Sequence, residues 1–169
     1  MTNKNEIHVR EIKEQDCDNL SALSIYVWLH TYAKDGIRDE ISKFVLSTFT
    51  KIKFEKIIKS PTKKSFVVCS GQNLIGVVIV DLNSYFDNSP LFGYEIETLY
   101  VHPSFQRLGI GKGILEHLRK SVGDKSWLTT WVHNYDAIDF YKKNGYKIIG
   151  EAEFILSNES HINHVLSNK

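Results

Sequence analysis

The chain has 169 residues, a formal net charge of +1 and a charged fraction of 24%. That length suits one domain over 1–169, burying about two-thirds of its unfolded surface. Near-neutral charge leaves no nucleic-acid footprint and no pull toward an acidic membrane.

The longest apolar run, Leu74 to Val80, is too short to span a bilayer. The opening Met-Thr-Asn-Lys-Asn-Glu lacks the apolar centre of a signal peptide. Cys17 and Cys69 are the only cysteines, so no disulfide framework is implied and a reduced cytoplasm is the expected setting.

Ile7 to Ile12 alternates and predicts a first strand. Asp16 or Asp18 can cap a helix running to about Ala33, with Leu20, Leu23, Val27 and Leu29 as apolar positions. Asp35-Gly36 marks a turn. A second helical region starts at Asp39 with Ile41, Phe44, Val45, Phe49 and Ile52 periodic. It breaks near Thr50, resumes over Phe54 to Lys59 and stops before Pro61. Ser65 to Ser70 and Leu74 to Leu82 flank Ser70-Gly71-Gln72-Asn73 and predict a hairpin. A loop with Asn83, Asp87 and Pro90 leads to a strand over Tyr94 to Val101. An amphipathic helix follows with Ile110, Ile114, Leu115, Leu118 and Val122 on one face. Ser126 to Val132 reads as a strand, with Trp127 and Trp131 on one face as core. Tyr135 to Asn144 reads as a helix closed by Gly145. Tyr146 to Leu156 is a strand, and a last short one lies in His161 to Leu166. This order predicts a mixed α/β sheet.

The segment from Tyr100 to Gly113 joins a strand to a helix through a proline-marked, glycine-spaced loop. A helix N-terminus offers unpaired N–H groups and partial positive charge, so it holds a phosphate without a dedicated side chain. Glycines let the backbone approach such a ligand. A P-loop needs glycine where Gln106 stands and Ser or Thr where Gly113 follows Lys112. A dinucleotide fingerprint needs its third glycine one residue later and an acidic residue at the end of the next strand. That strand ends Val132-His133-Asn134. Downstream, Asn134, Ala137, Phe140, Tyr141, Gly145 and Tyr146 keep a fixed spacing. The two segments resemble the GNAT family of acyl-CoA-dependent N-acyltransferases. Gln106-Arg107-Leu108-Gly109-Ile110-Gly111 is similar to its Q/R-x-x-G-x-G/A signature. The second segment is similar to N-x-x-A-x-x-F-Y-x-x-x-G-F, with Tyr146 in place of the final Phe.

The resemblance implies a mostly antiparallel sheet with splayed central strands flanked by helices, and acetyl-CoA as acyl donor. It places the coenzyme on Gln106, Arg107, Leu108, Gly109, Ile110, Gly111 and Lys112, and along the strand at Leu99, Tyr100 and Val101. It adds Asn134, Ala137, Phe140, Tyr141 and Lys143 from the second segment. The Leu99 N–H is the expected polariser of the thioester carbonyl. Tyr141 is the expected general acid, since a phenol stays protonated at neutral pH yet can protonate a departing thiolate. The plain alternative is that Phe140 and Tyr141 only pack the helix onto the sheet. Glu97 is the expected base, with Glu95 beside it. Strand alternation puts both on one side with Leu99 and Val101 unless a bulge intervenes. The alternative is that they are solvated or bind the acceptor cation. Asn134 can contact the coenzyme, cap the following helix, or do both.

Trp28-Leu29-His30-Thr31-Tyr32 is loosely similar to a segment of bacterial polyamine (spermidine) acetyltransferases. This implies a small-molecule primary amine as partner, polyamine-like, with Glu95, Glu97, His30 and Tyr32 at the acceptor; the alternative is that Trp28 and Tyr32 are core and His30 is half-buried. Asp35, Asp39 and Glu40 add negative charge that attracts a polycation. The alternatives are a protein or peptide lysine or N-terminal acetyltransferase, or a non-catalytic acyl-CoA-binding module. Keeping both Tyr141 and Glu97 favours catalysis. His161 and His164 lack a third ligand at metal spacing, so no metal is expected. No nucleic acid or membrane partner is expected, and the resemblance allows a homodimer.

Overall fold

The computed structural model describes residues 6–169. Strands β1 (Ile7–Glu11), β2 (Lys63–Ser70), β3 (Asn73–Asp81), β4 (Tyr94–Val101), β5 (Ser126–Trp131), β6 (Lys147–Leu156) and β7 (Glu159–Ser167) form one sheet. Their order is β1-β2-β3-β4-β5-β7-β6. Only β4 and β5 pair in parallel; every other neighbouring pair is antiparallel. Helices α1 (Cys17–Tyr32), α2 (Asp39–Thr48) and α3 (Lys51–Lys59) cover one face, and α4 (Ile110–Ser121) and α5 (Tyr135–Lys143) the other.

The two cores follow from the strand period of two. Val77 and Ile79 of β3 enter the α1–α3 core with Leu20, Val27 and Phe54. Val78 and Val80 enter the α4–α5 core with Ile114, Leu118 and Leu128. A strand buried on both faces needs a continuous apolar run, and Leu74 to Val80 supplies one. The final strand is longer than expected. β7 turns back tightly after Ser157, which takes a φ of 56°, and slots between β5 and β6.

Two irregularities in β4 shape everything near it. Its pairing with β5 is confined to Tyr94↔Ser126 and Glu95↔Trp127, after which the strands diverge. Its pairing with β3 shifts between Ile79↔Thr98 and Val80↔Ile96, a bulge that leaves Glu97 without its own partner. A bulge bends the strand and moves later side chains to the opposite face.

Helix α1 is tied to β1 by Asp16. Its carboxylate accepts from Arg10 Nη1 at 2.7 Å, Arg10 Nη2 at 2.9 Å and the Lys13 N–H at 2.8 Å. The expected capping of α1 by Asp16 does not form, because both oxygens turn back to these donors. Chiefly through the Arg10 hydrogen bonds, this buried carboxyl titrates below its ordinary value. A depressed carboxylate stabilises the fold above its unfolded pKa of about 3.9 and loses that contribution as pH falls through the folded value. Asp16→Ala should cost about 2 kcal/mol near neutrality, since it strands a partly covered guanidinium. In urea unfolding the difference from wild type should shrink below about pH 4.

Candidate active site

Backbone directions in β4 follow from one bond. The His102 N–H donates to Ile75 O at 2.8 Å, toward β3. In an antiparallel strand the N–H and C=O of each residue point together and alternate along the chain. Tyr100 therefore also faces β3, and its carbonyl lies against Gly76. Leu99 and Val101 face the other way, into the gap where β5 has diverged. There the Val101 carbonyl accepts from Gln106 Nε2 at 3.0 Å. Gln106 thus latches the loop to the strand.

Between this strand and α4 the chain makes a cradle of N–H groups. Arg107 and Gly109 both have positive φ, 61° and 82°, and Gly109 is the N-cap of α4. Among the described residues the first backbone N–H after Gln106 to find an acceptor is that of Gly113, bonded to Gly109 O. The N–H groups of Arg107 to Lys112 have no internal acceptor and lie at the positive end of the helix dipole. A side chain at Gly109 would meet nothing within 4 Å, so the cradle is open there. Gly111 differs, because a Cβ would lie 2.9 Å from the Phe140 ring of α5. Its smallness lets α4 and α5 close on each other. Exposed Arg107 faces Asp136 at the start of α5 at 3.7 Å.

Asn134 caps α5, its Oδ1 accepting the Ala137 N–H at 3.3 Å. One turn and more along, Tyr141 is buried, stacked edge-on between Phe140 at 5.0 Å and Tyr146 at 5.4 Å. Burial, with the neighbouring Tyr146, Tyr32 and Tyr100 hydroxyls adding to it, pushes its phenol far above the ordinary value. Tyr32 and Tyr100 pack in the α1–α3 core and Tyr141 in the other. Tyr32 also meets Asn134 and stacks on Trp131 at 5.9 Å.

On the α1–α3 side lies a row of directly opposed strand residues, Lys63, Asp81, Glu95 and Trp127. Opposed residues share a face. The Lys63 ammonium donates to Asp81 at 3.0 Å and to Glu97 at 2.5 Å, so Glu97 is on this face too. The bulge then sends Leu99 and Val101 to the α4–α5 side and brings Tyr100 to the carboxylates. The expected common side for Glu95, Glu97, Leu99 and Val101 is therefore corrected, for the reason allowed beforehand. Glu97 is committed to an ion pair. Half-buried Glu95 has no cation within 4.0 Å among the described residues. Burial raises its pKa, opposed by a hydrogen bond from Ser84 and helped by the charges of Glu97 and Asp81.

His30 and Tyr32 do not converge. Two residues apart on a helix, they point to different sides. Tyr32 faces the gap, whereas exposed His30 stacks toward Tyr26 at 6.4 Å. Leu108 stays exposed beside the cradle, and Lys143 is exposed one turn beyond Phe140. Trp127 is core, but Trp131 is half-buried and walls the gap instead. Sequence reading named Phe44 and Phe49 only as apolar helix positions and did not foresee that Phe49 meets Tyr100 at 6.2 Å or that Phe44 meets Phe154 at 5.8 Å. Period alone marks such aromatics only as core. Among the described residues no three His, Cys, Asp or Glu gather as metal ligands, and no helix is long and apolar enough to cross a membrane.

Residues 25–146 match the model of the Acetyltransferase (GNAT) family, and the chain belongs to that family. It is an acyl-CoA-dependent N-acetyltransferase whose acyl donor is acetyl-CoA. The chain is 26% identical over 168 residues, 95% of each protein, to the uncharacterized N-acetyltransferase in the pepI 3′ region of Lactobacillus delbrueckii subsp. lactis. It superposes with a TM-score of 0.78 on the PaiA N-acetyltransferase of Thermoplasma acidophilum in complex with coenzyme A, at 19% identity over 97% of this chain and 99% of that one. The TM-score is 0.65 to a spermidine N-acetyltransferase of Vibrio cholerae in complex with CoA and spermine, at 18% identity over 98% and 95%. At these identities the two structures speak for the fold. The groups present fit the donor: free N–H groups suit a pyrophosphate, and an open strand edge suits an amide-bearing arm.

Proposed function

We propose that this enzyme acetylates the primary amine of a small, cationic molecule of the polyamine class, the chain working as one catalytic domain. The observation that carries this is Glu95, a half-buried carboxylate without a cation partner among the described residues, at the point where β4 and β5 part. Asp81 and Glu97 stand beside it with Lys63 between them. An excess of carboxylate walled by aromatic side chains suits an ammonium on an alkyl chain. The V. cholerae spermidine acetyltransferase, bound to CoA and spermine, shares the fold.

The thioester of acetyl-CoA supplies an activated acetyl group. In our reading the free N–H groups of Arg107 to Lys112 hold the pyrophosphate, and Leu99 and Val101 hold the arm through the gap. The Leu99 N–H faces the reacting carbonyl and stabilises charge developing on its oxygen. Glu95 takes the proton of the incoming ammonium. An alkylammonium has a pKa of about 10.4, so a base is needed near neutrality, and the raised pKa of Glu95 narrows the mismatch. Glu97 keeps Lys63 in place and contributes to the field. Tyr141 approaches from the opposite core. Its raised pKa keeps it a neutral donor across the working range, ready to protonate the sulfur.

Three measurements test this. Gly111→Asp sets an anion in the cradle and drives a side chain into Phe140. Coenzyme A affinity by calorimetry should fall at least about tenfold, the cost of one lost charge-assisted contact; unchanged affinity removes the cradle from the site. Tyr141→Phe should lower kcat about 10²-fold, with acetyl-CoA affinity kept, as loss of a general acid does. A full rate ends its role. A base must be deprotonated, so the rate falls as pH drops through the raised Glu95 pKa. Glu95→Gln should lower the rate and flatten that acidic limb, and Glu97→Gln should leave it sloping. The reverse pattern returns the base to Glu97.

A further inference from the structure

We propose that Arg38 and Glu159 form a clasp over the acceptor mouth that restricts the site to small amines. This rests on the acceptor face assigned above. Arg38 precedes α2, and Glu159 opens β7 just past the tight β6–β7 turn. The guanidinium donates through Nη1 to one carboxylate oxygen at 2.9 Å and through Nη2 to the other at 2.7 Å. This two-pronged pair joins segments 121 residues apart. Arg38 also lies 3.7 Å from Glu40.

The clasp closes over the acceptor face. Arg38 lines a pocket of about 280 Å³ with Tyr32, Asp35 and Ile41, and Tyr32 is the ring that reaches Trp131 and Asn134 in the gap. Beneath Glu159, His161 approaches it at 3.5 Å and stacks toward Phe154 at 6.5 Å; Phe154 meets Phe44 of α2. A continuous wall thus runs from β7 to α2 with the ion pair at its rim. Arg38 and Glu159 keep 52% and 46% of their side-chain exposure. Exposed ion pairs add little to fold stability. Bidentate geometry does fix orientation. Such a pair is suited to holding two loops in register while opening readily for a small solute. A peptide needs an unobstructed channel along the face, and the bridge blocks it.

Hydrogen–deuterium exchange tests the clasp without any acceptor. Arg38→Ala or Glu159→Gln should each speed exchange about threefold or more in both segments, 33–38 and 156–159, because either opens the shared contact. The charge swap Arg38→Glu with Glu159→Arg should restore protection. Faster exchange confined to the substituted segment overturns the clasp. Thiol-release kinetics then read selectivity. The ratio of kcat/KM for a lysine peptide to that for spermidine should rise about fivefold in each single variant and no further when Arg38→Ala and Glu159→Gln are combined, since both remove one barrier, and it should fall back in the charge swap. Acetyl-CoA affinity should not move. An unchanged ratio alongside coupled exchange overturns the role in acceptor choice. A wild type that already prefers the peptide overturns the small-amine reading, and the exchange result still decides the clasp.

Discussion

The divergence of β4 from β5 is the constraint on which the rest of the molecule depends. Parting two central strands leaves backbone N–H and C=O groups without partners inside a protein, which costs free energy unless something else meets them. The chain meets the Val101 carbonyl with Gln106 and leaves neighbouring groups facing the gap. The two pairs that do form, Tyr94↔Ser126 and Glu95↔Trp127, hold the strands together at one end and define a wedge. A wedge of unmet amides suits a ligand whose own backbone-like amides can complete the sheet. The pantetheine arm of acetyl-CoA, the donor of this family, carries such amides.

The bulge at Glu97 makes the wedge two-sided in its chemistry. A regular strand would place Glu95, Glu97, Leu99 and Val101 on one face and mix carboxylates with the apolar packing of α4. With one extra residue, Leu99 and Val101 join the α4–α5 core, and Tyr100 joins the carboxylates. One side of the gap is then dry and aromatic, with Tyr141 held neutral. The other carries the carboxylates and Lys63. In our reading the leaving sulfur meets its proton donor from the dry side, and the amine arrives from the charged side. The two proton transfers never compete for one group.

What was legible in the sequence depended on how local the physics is. The glycine-spaced loop and the Asn134 to Tyr146 segment encode turn conformation, capping and helix period within a few residues, so the fold class and the course of the strand-to-helix loop could both be read. The register of β4 could not, because a bulge is decided by how two strands fit, and no periodicity within Tyr94 to Val101 announces it. The same holds for β7, whose place between β5 and β6 depends on pairing with both. Side-chain choices failed where spacing was treated as proximity. His30 and Tyr32 are neighbours in sequence yet divided by the helix. Phe49, Phe154, Arg38 and Glu159 come from distant elements and meet only in the folded chain.

Lys63 occupies two of the three carboxylates on this face. It is partly covered, and burial alone would lower its pKa; hydrogen bonds to Glu97 and Asp81 outweigh this and raise it. The ammonium is therefore firmly charged and bound to two of the three carboxylates. Asp81, also met by the Asn83 N–H, is held below its ordinary value and stays a poor base. Glu95 receives no such donor from a cation, and burial moves its pKa the other way. In our reading a single lysine thereby occupies two of the three acids on this face and leaves Glu95 as the proton acceptor. The two anions also make proton uptake at Glu95 easier, since each repels its charged form. In our reading an arriving ammonium is drawn to this face by its carboxylates and gives its proton to Glu95, the acid that Lys63 does not hold. Attraction and deprotonation then favour the same position, where β4 and β5 part.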